Sequence, residues 1–256
     1  MATFLRHEGC PKCGSSDALA IYSDGGAHCF ASGCNHHING GNMTEPALTV
    51  VKACRLNMGG TVAAIPQRRI SKETCAAFGV TVEYSTTGEI IRHYYPYYKV
   101  DSNEIGSAKV REVKTKNFHT TGDVTGVGFF GQNRCKTNRY VTITEGELDA
   151  LAVSEMLGSK ADVVSLRSGA ANAAKEIKEQ LEWLEEYEQV VLCFDNDKAG
   201  DAAVDQVKDI FSPNKLKILK LPVKDASDML MANKVKDFTQ LWWNAKVYRP
   251  DGIVAG

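Results

Sequence analysis

Two groups of potential metal ligands lie far apart in this 256-residue chain. The first consists of thiols, and its members are Cys10, Cys13, Cys29 and Cys34. The second consists of carboxylates that follow two apolar runs, at 140–144 and 190–194. Thiolates are typical ligands of structural zinc, whereas carboxylates suit hard cations such as magnesium. The two groups therefore predict one site that stabilises structure and another that supports a reaction.

The four cysteines form two pairs with the spacing C-x2-C, fifteen residues, C-x4-C. Turns of a small antiparallel sheet can bring such pairs together around one zinc ion, and disulfide pairing is the alternative. A ribbon as short as residues 1–38 needs the metal for its stability. The second pair is wider than the common x2 spacing, and His36 and His37 follow it. We therefore expect the fourth ligand to be Cys34 or one of these histidines.

The carboxylate group centres on Glu145, Asp195 and Asp197, each at the end of a predicted strand. In extended chain, residues two apart point to the same side, so Asp195 and Asp197 can converge on one ion. Magnesium takes a few carboxylates and completes its shell with water and substrate phosphates. Asp225 follows a third strand-like run and is a further candidate ligand. These four acids form the predicted Mg²⁺ or Mn²⁺ site.

Acidic side chains at strand ends have a second explanation. They stabilise the positive N-terminal end of a helix that begins there. This explanation applies most directly to Glu147 and Asp149, and less to Asp195 and Asp197, which follow an apolar run.

The elements around these residues predict an α+β protein. A short helix opens near 70–75 with Ser71 as its N-cap, and predicted strands follow at 80–84, 89–100 and 108–113. From residue 140 strands alternate with helices, which implies a mainly parallel sheet with its site at the carboxyl ends of the strands. The predicted domains are a zinc-binding ribbon at 1–38, a Gly-rich linker at 39–66, a basic subdomain at 67–138 and an acidic α/β subdomain at 139–256.

Charge and cysteine usage narrow the class of protein. The net charge is −1, but residues 99–139 contain eight Lys and Arg against four Asp and Glu. A basic track beside an acidic cluster suits a polyanion held against bound cations, although two solvated faces would give the same pattern. Eight cysteines without a signal peptide or a long apolar stretch favour a reducing, cytoplasmic location and no membrane.

The segments 144–151 (Thr-Glu-Gly-Glu-Leu-Asp-Ala-Leu) and 194–200 (Phe-Asp-Asn-Asp-Lys-Ala-Gly) resemble the Toprim fold. Together with the cysteine pairs and the segments 70–75, 109–111, 116–122 and 243–252, they resemble the primase half of the bifunctional primase–helicases of T-seven-type short-tailed phages. In that family the chain continues into a ring-forming helicase. This sequence has no Gly-x-x-x-x-Gly-Lys-Ser/Thr motif, so we expect a primase-only protein or a piece of a longer one.

The resemblance implies a DNA primase, a nucleotidyltransferase that condenses NTPs into short RNA on a single-stranded DNA template. Glu145, Asp195, Asp197 and Asp225 match the family's metal-binding acids, and Lys109 and Lys116 match its two nucleotide-handling lysines. Arg111 and His119 are candidates for binding DNA or nucleotide, and Asp24 for reading the template. The implied partners include a helicase domain or subunit and the replicative DNA polymerase, in the cytoplasm of the phage's host.

Two segments each have two interpretations, and two other functions are alternatives to a primase. The loop 165–170 either meets phosphate through backbone amides or is a simple capping turn, and the aromatic run 92–98 either stacks on bases or packs in the core. Trp242 and Trp243 are predicted to anchor packing at the end of the domain. A non-catalytic recombination mediator with zinc and Toprim modules is the second function class, and a Toprim nuclease is the third.

Overall fold

The computed structural model describes residues 2–31, 34, 36–38, 56–136, 139–158 and 161–249. The chain divides into two compact units, residues 1–53 and 54–256. The predicted α+β class is confirmed, because an antiparallel N-terminal sheet carries the cysteines and a mainly parallel sheet lies in the second unit. The finer domain boundaries at 38, 66 and 138 stay predictions.

The N-terminal unit is a four-stranded antiparallel sheet in the order β1-β2-β3-β4. Its strands are β1 (Phe4–Glu8), β2 (Leu19–Tyr22), β3 (Ala27–Cys29) and β4 (His37–Ile38). Among the described residues of this unit, the buried core cluster consists of Leu19, Ala27 and three of the cysteines. Burial of this small cluster compensates for little of the conformational entropy that is lost on folding. This agrees with a unit whose stability depends on a bound metal.

The second unit begins with helix α1 (Lys72–Phe78) and a four-stranded antiparallel sheet in the order β5-β6-β7-β8. The strands are β5 (Thr81–Tyr84), β6 (Ile90–Tyr98), β7 (Ile105–Glu112) and β8 (Phe118–Gly122). As predicted, the Ser71 side chain caps α1 by accepting a hydrogen bond from the Thr74 amide. Strand β8 was not predicted, because its polar sequence lacks an apolar alternation and it forms by pairing with β7.

The last part of the predicted linker, residues 56–66, packs on this unit. Asn57 donates its backbone amide to the Thr121 hydroxyl, and Thr61 forms a β-bridge with Val82. Ile65 is fully buried in the main core. These contacts hold residues 56–66 against the antiparallel sheet, whereas residues 39–55 lie outside the described part of the chain.

The remaining strands form a five-stranded sheet in the order β10-β9-β11-β12-β13, parallel except at β13. The strands are β9 (Tyr140–Thr144), β10 (Asp162–Ser165), β11 (Gln189–Cys193), β12 (Leu216–Ile218) and β13 (Lys246–Val247). The helices are α2 (Glu147–Met156), α3 (Ala173–Glu179), α4 (Leu181–Glu185), α5 (Lys198–Val207), α6 (Ala226–Met231) and α7 (Val235–Trp243). Apolar side chains cover both faces of the parallel sheet, as its apolar strands require.

The aromatic run of β6 packs in the core. Tyr94, Tyr95 and Tyr97 are buried, and Tyr95 and Tyr97 pack against Phe130. A base-stacking role for these tyrosines is therefore excluded. Trp242 is buried and donates its indole N–H to Thr142, as expected of an anchor.

Trp243 does not match the prediction that both tryptophans anchor the end of the domain. It is 59% exposed, although its ring still contacts Tyr140. The difference follows from the helical period, because α7 turns only one of two consecutive residues toward the sheet.

Candidate active site and thiol cluster

The four cysteines converge in the N-terminal unit. Their sulfur atoms all lie within 4.8 Å of one another, and neither His36 nor His37 belongs to this set. The Sγ atoms of Cys10 and Cys34 are 3.8 Å apart, and those of Cys13 and Cys29 are 3.7 Å apart. A tetrahedral zinc ion with bonds of about 2.3 Å requires sulfur–sulfur distances of about 3.8 Å. The cluster therefore fits one zinc ion with Cys34 as the fourth ligand.

The local fold brings these cysteines together in two ways. Cys29 ends strand β3, and its amide donates to the carbonyl of His36 while the chain returns as β4. Cys10 and Cys13 lie in a tight turn in which the Gly14 amide donates to the Cys10 carbonyl. Burial opposes ionisation, but hydrogen bonds from the backbone amides of Cys13 and Lys12 lower the pKa of Cys10 to about 7. Burial raises the pKa of Cys29, in the same cluster, to about 12, so the four thiols do not share a low pKa, and a bound zinc ion would supply the charge that holds them as thiolates.

Asp24 lies in the turn between β2 and β3. Its carboxylate accepts a hydrogen bond from the Gly26 amide at 2.9 Å, which stabilises the turn. The side chain is exposed, so it combines a turn-forming contact with access to solvent.

The predicted magnesium ligands lie at the carboxyl ends of the parallel strands. Glu145 directly follows β9, and Asp195 follows β11 after Phe194. The Glu145 carboxylate accepts a hydrogen bond from the Asp195 amide at 3.1 Å, which joins the two strand ends. Because β9 and β11 are adjacent and parallel, the topology forces this proximity.

Asp197 and Asp225 each cap a helix. Asp197 accepts hydrogen bonds from two amides of the first turn of α5, and Asp225 accepts one from Asp228 in α6. Helix capping, the second explanation for these acids, therefore describes part of what they do. A carboxylate has two oxygens, so a capping contact through one oxygen leaves the other available to a cation.

Mutual repulsion and burial act on the acids of this cluster. Burial, followed by the nearby Asp195 and Asp197, raises the pKa of Glu145 to about 7. Burial and the nearby Asp225 raise the pKa of Asp149 to about 7. Burial also raises the pKa of Asp195, against the effect of Lys224, whose ammonium lies 3.4 Å away. Carboxylate oxygens are the ligands that hard divalent cations prefer. The positive charge of such a cation would reduce the repulsion between these carboxylates.

Unlike the thiols, the described carboxylates do not form a set of three or more ligand atoms within 4.8 Å. Their backbone positions are nevertheless tightly packed. Gly200, in the first turn of α5, approaches so closely that an added Cβ would lie 2.0 Å from the Asp195 carbonyl oxygen and 2.9 Å from the Glu145 carboxylate. Glycine is therefore needed where α5 meets the acid cluster.

Glu147 connects the acid cluster to the antiparallel sheet. It is buried, forms a salt bridge with Lys109 of β7 and accepts a hydrogen bond from the Tyr97 hydroxyl. For Glu147 the helix-terminus explanation is therefore insufficient, because the side chain is an internal ion-pair partner. The contact holds Lys109, the predicted nucleotide-handling lysine, at Glu147, which is two residues along the chain from Glu145.

Asp149 is a member of the acid cluster that sequence reasoning left among the helix-dipole carboxylates. Its carboxylate accepts a hydrogen bond from the Ser227 amide at 3.0 Å, and Asp225, Asp195 and Glu145 all raise its pKa. The spacing of Glu145 and Asp149, one helical turn apart in the segment that opens α2, is the signal that could have identified it.

The predicted basic residues separate into three places. Lys109 and Arg111 are two apart on β7 and therefore share a face of the sheet. Lys116 lies in the turn between β7 and β8 with a φ of 60°, not on a strand. His119 is exposed and pairs in register with Val110, so it lies on the opposite face from Lys109.

The loop after β10 is a capped turn. The amides of Arg167 and Ser168 donate to the carboxylate of Glu176 at 2.6 Å and 2.9 Å. These amides are already occupied by a carboxylate, which favours the capping explanation over phosphate binding. Arg167 also pairs with Glu176 and Glu179.

A cleft of about 940 Å³ extends from Lys109 along the second unit. The sheet lines one side with Tyr97, Ser107, Lys109 and Thr120, and helices α3 and α4 line the other. Its size suits a nucleotide or a short single strand. Within the described residues, no helix has the length and apolar character to span a membrane.

Known proteins resemble this chain over nearly its whole length. A Toprim-like family model matches residues 142–230, which contain Glu145, Asp195, Asp197 and Asp225. The chain is 33% identical over 266 residues to a DNA helicase/primase of Enterobacteria phage T3, covering 98% of this chain and 46% of that protein. It therefore spans about half the length of that relative.

Two solved structures match closely. The primase fragment of the bacteriophage T7 primase–helicase is 30% identical with a TM-score of 0.68, and the match covers 94% of this chain and all of that fragment. The primase domains in a complex of T7 lagging-strand DNA polymerase with an RNA/DNA hybrid and dTTP give 33% identity and a TM-score of 0.67, covering 74% of this chain and 94% of that one. Since the match to the T7 primase fragment reaches 30% identity and covers all of that fragment, the chain belongs to the family formed by the primase half of the T7-type phage primase–helicases.

Proposed function

We propose that this protein is a DNA primase that condenses NTPs into short RNA primers on single-stranded DNA during phage DNA replication. The observation that carries the proposal is the meeting of Glu145 and Asp195 at adjacent strand ends, with Lys109 held nearby by Glu147. Membership of the primase family supports the same reaction.

The proposed reaction is attack of a 3′-hydroxyl on an α-phosphate with departure of pyrophosphate. Two Mg²⁺ or Mn²⁺ ions, when bound by Glu145, Asp195, Asp197 and Asp225, would activate the attacking oxygen and neutralise the leaving one. Asp149 is added to this set because it shares the field of the same acids. The protein's own task is then to position the substrates and to neutralise their charge.

Cations of the antiparallel sheet supply this charge. Lys109 is a direct phosphate partner in the proposed reaction, and its salt bridge with Glu147 limits the freedom of a long side chain. Lys116 is exposed in its turn and approaches the nucleotide from the rim. Arg111 contacts the template backbone. His119 binds template on the other face of the sheet.

The N-terminal unit is proposed to select the template. Its four cysteines hold a structural Zn²⁺ ion, which makes the small sheet rigid. Asp24, on an exposed turn, reads bases of the single strand. A helicase domain or subunit and the replicative DNA polymerase are the proposed protein partners, since the matched T7 primase domains contact a polymerase. The proposed location is the host cytoplasm.

The test is primer synthesis by the purified chain. Labelled NTPs, Mg²⁺ and a mixed library of single-stranded DNA templates should yield short RNA, and the productive templates would reveal the start sequence. Asp195→Ala and Mg²⁺ chelation should each abolish the product. Asp201→Ala is the matched control, because Asp201 is an acid of α5, the helix that follows Asp195, but pairs with Lys220.

Other outcomes would assign another function. Degradation of the template without RNA product would favour a nuclease. DNA binding without RNA synthesis and without degradation of the template would favour the non-catalytic recombination mediator. Either result in the wild-type protein would overturn the primase proposal.

A further inference from the structure

An exposed aromatic ring lies at the edge of the antiparallel sheet. Phe118 opens strand β8, which is the edge strand, and it is 51% exposed. Tyr94, Tyr95 and Tyr97 of β6 are buried in the same sheet, whereas the Phe118 ring lies outside the core. An exposed apolar ring on an edge strand adds no core packing and favours unwanted association. Its exposure leaves one face of the ring accessible to a ligand.

The sheet register places this ring beside the basic residues. Phe118 pairs with Arg111, and Thr120 pairs with Lys109. Paired residues of adjacent strands point to the same face, so Phe118 lies on the same face as Lys109. Lys109 in turn lines the cleft. The Lys109 ammonium and the Arg111 guanidinium carbon each lie 5.5 Å from the centre of the Phe118 ring.

The charge around this ring is incompletely balanced. Lys109 is paired with Glu147, but none of the described carboxylates forms a salt bridge with Arg111. The Arg111 Nε is buried and has no hydrogen-bond acceptor. The polar group beside Arg111 is the Tyr95 hydroxyl. Burial raises the pKa of this hydroxyl, so it is neutral and does not balance the charge of Arg111. An aromatic face next to an arginine without a counter-ion suits a ligand that is both planar and anionic.

We infer that Phe118 is a stacking platform for a nucleobase whose phosphate is bound by Arg111 and Lys109. Single-stranded nucleic acids and nucleotides are recognised by this combination, in which a ring accepts the base and cations track the phosphates. The inference rests on the proposed function and deepens it. The base belongs either to the template strand or to an NTP, and these sources share the same chemistry.

The direct test replaces the ring by a fluorescent one. In Phe118→Trp, stacking of a base should quench the new indole emission when an unlabelled oligodeoxynucleotide of about ten residues or ATP is added. The matched control is Tyr84→Trp, because Tyr84 is 45% exposed on β5, at the opposite edge of the same sheet. Quenching by the oligonucleotide identifies the template, and quenching by ATP identifies the NTP. Absence of quenching by both, or equal quenching in the control, would overturn the inference.

An affinity measurement supplies an independent readout. Phe118→Ala should weaken binding about 5- to 150-fold, which is the range for losing one stacked base, while Phe118→Trp should restore it. The loss should appear in the Kd for the oligonucleotide if the template stacks, and in the KM for NTP if the nucleotide stacks. Since Phe118 is half exposed, the Ala variant should keep the wild-type thermal unfolding midpoint.

The wild-type protein separates the two levels of failure. If it binds nucleic acid and makes RNA while Phe118→Ala behaves identically, the stacking platform is wrong and the primase proposal stands. If the wild-type protein binds neither ligand and makes no RNA, both are overturned.

Discussion

The thiol cluster and the carboxylate cluster are assembled in opposite ways. Four cysteines from within 25 residues of sequence converge until all sulfur atoms lie within 4.8 Å. The acids come from segments up to 80 residues apart, and the strand order of the parallel sheet brings these segments together. Among the described acids, no three ligand atoms lie within 4.8 Å of one another. Different second tasks, such as helix capping and backbone hydrogen bonding, hold the acids in place.

The difference follows from what each cluster must do. A structural metal replaces a hydrophobic core, so its ligands must close around it even though the unit has few other contacts. A reactive site must leave room for substrate and for exchange of ligands, so its acids are supported by the surrounding fold. Removal of a ligand should therefore destroy structure in one cluster and chemistry in the other.

The largest effect is expected from Cys13→Ser. Losing one thiolate should cost most of the zinc-linked folding free energy of the N-terminal unit, which is about 10 kcal/mol for comparable small domains. Zinc content by mass spectrometry and limited proteolysis of the N-terminal unit would measure the loss. Cys75→Ala is the control, because Cys75 is a buried thiol of α1 in the other unit. A Cys13→Ser protein with full zinc content and a protected N-terminal unit would contradict the assignment.

The second effect concerns chemistry without unfolding. Asp195→Ala should lower primer synthesis by roughly 10²- to 10³-fold or more, as expected for losing a group that stabilises transition-state charge. Its ion pair with Lys224 is partly exposed, so the free energy of unfolding should change by about 1 kcal/mol or less. Single-turnover synthesis and urea unfolding would measure both quantities. Substantial synthesis by this variant would show that the acids are not the reactive site.

The third prediction tests the connection between the acid cluster and the basic sheet. Glu147→Gln leaves the Lys109 ammonium without its buried partner, which costs up to about 3–5 kcal/mol for fully buried pairs and less here, since Lys109 is 19% exposed. Urea unfolding of the C-terminal unit would measure the cost. Glu112→Gln, which breaks the more exposed pair with Arg92, should have a smaller effect, because solvent screens this pair.

A double-mutant cycle would refine this result. Removing both charges with Lys109→Met and Glu147→Gln should cost less than the sum of the single changes, because neither charge is then left unpaired. Strict additivity would mean that the two side chains do not interact in solution.

The smallest effect is the contribution of His93 to the pH dependence of the second unit, which is separate from that of the acid cluster. Burial, followed by the charges of Arg111 and Arg68, lowers the pKa of His93 to about 4, and its imidazole hydrogen-bonds the Tyr95 hydroxyl. Below pH 6.5 the unfolded state therefore binds a proton that the folded state refuses, so stability is lost as the pH falls. From these pKa values the contribution of His93 alone is a loss of about 2 kcal/mol between pH 7 and pH 5, whereas the raised pKa values of Glu145 and Asp149 act in the opposite direction, because the folded state binds their protons more tightly.

Urea unfolding of wild type and His93→Gln at both pH values would measure this loss. As the pH falls over this interval, the stability of the variant should change more favourably than that of wild type, by about 2 kcal/mol, whatever the absolute stability of the variant. An identical pH dependence in the two proteins would assign the loss to other groups.

Local patterns were sufficient for much of the fold. The apolar runs at 140–144 and 190–194 predicted β9 and β11 within one residue, because a strand buried on both faces must be apolar along its length. Strand β8 was missed because its polar residues are extended only through their ladder with β7. The alternation after residue 140 predicts one helix between β10 and β11, whereas the structure has two, α3 and α4, divided at Gln180, where no glycine or proline marks a break.

The same division applies to the sites. Cysteine spacing predicted the thiol cluster, since its geometry is set by two turns within one small sheet. It left the fourth ligand open between Cys34 and two histidines, and only the folded arrangement places the Cys34 sulfur with the others. The acids were predicted from strand ends and family resemblance, but their roles in a metal site stay predictions.

The sequence by itself determined the α+β class, the thiol cluster, the order of strands and helices after residue 140, and the family. These depend on periodicity and short-range spacing, which the chain carries locally. Only the tertiary structure decided that Glu147 is buried against Lys109 and Tyr97, that the β6 tyrosines are core, and that Phe118 is the exposed ring beside two cations. The physical reason is that burial and partners are properties of the face a residue shares with distant segments, and strand register sets that face.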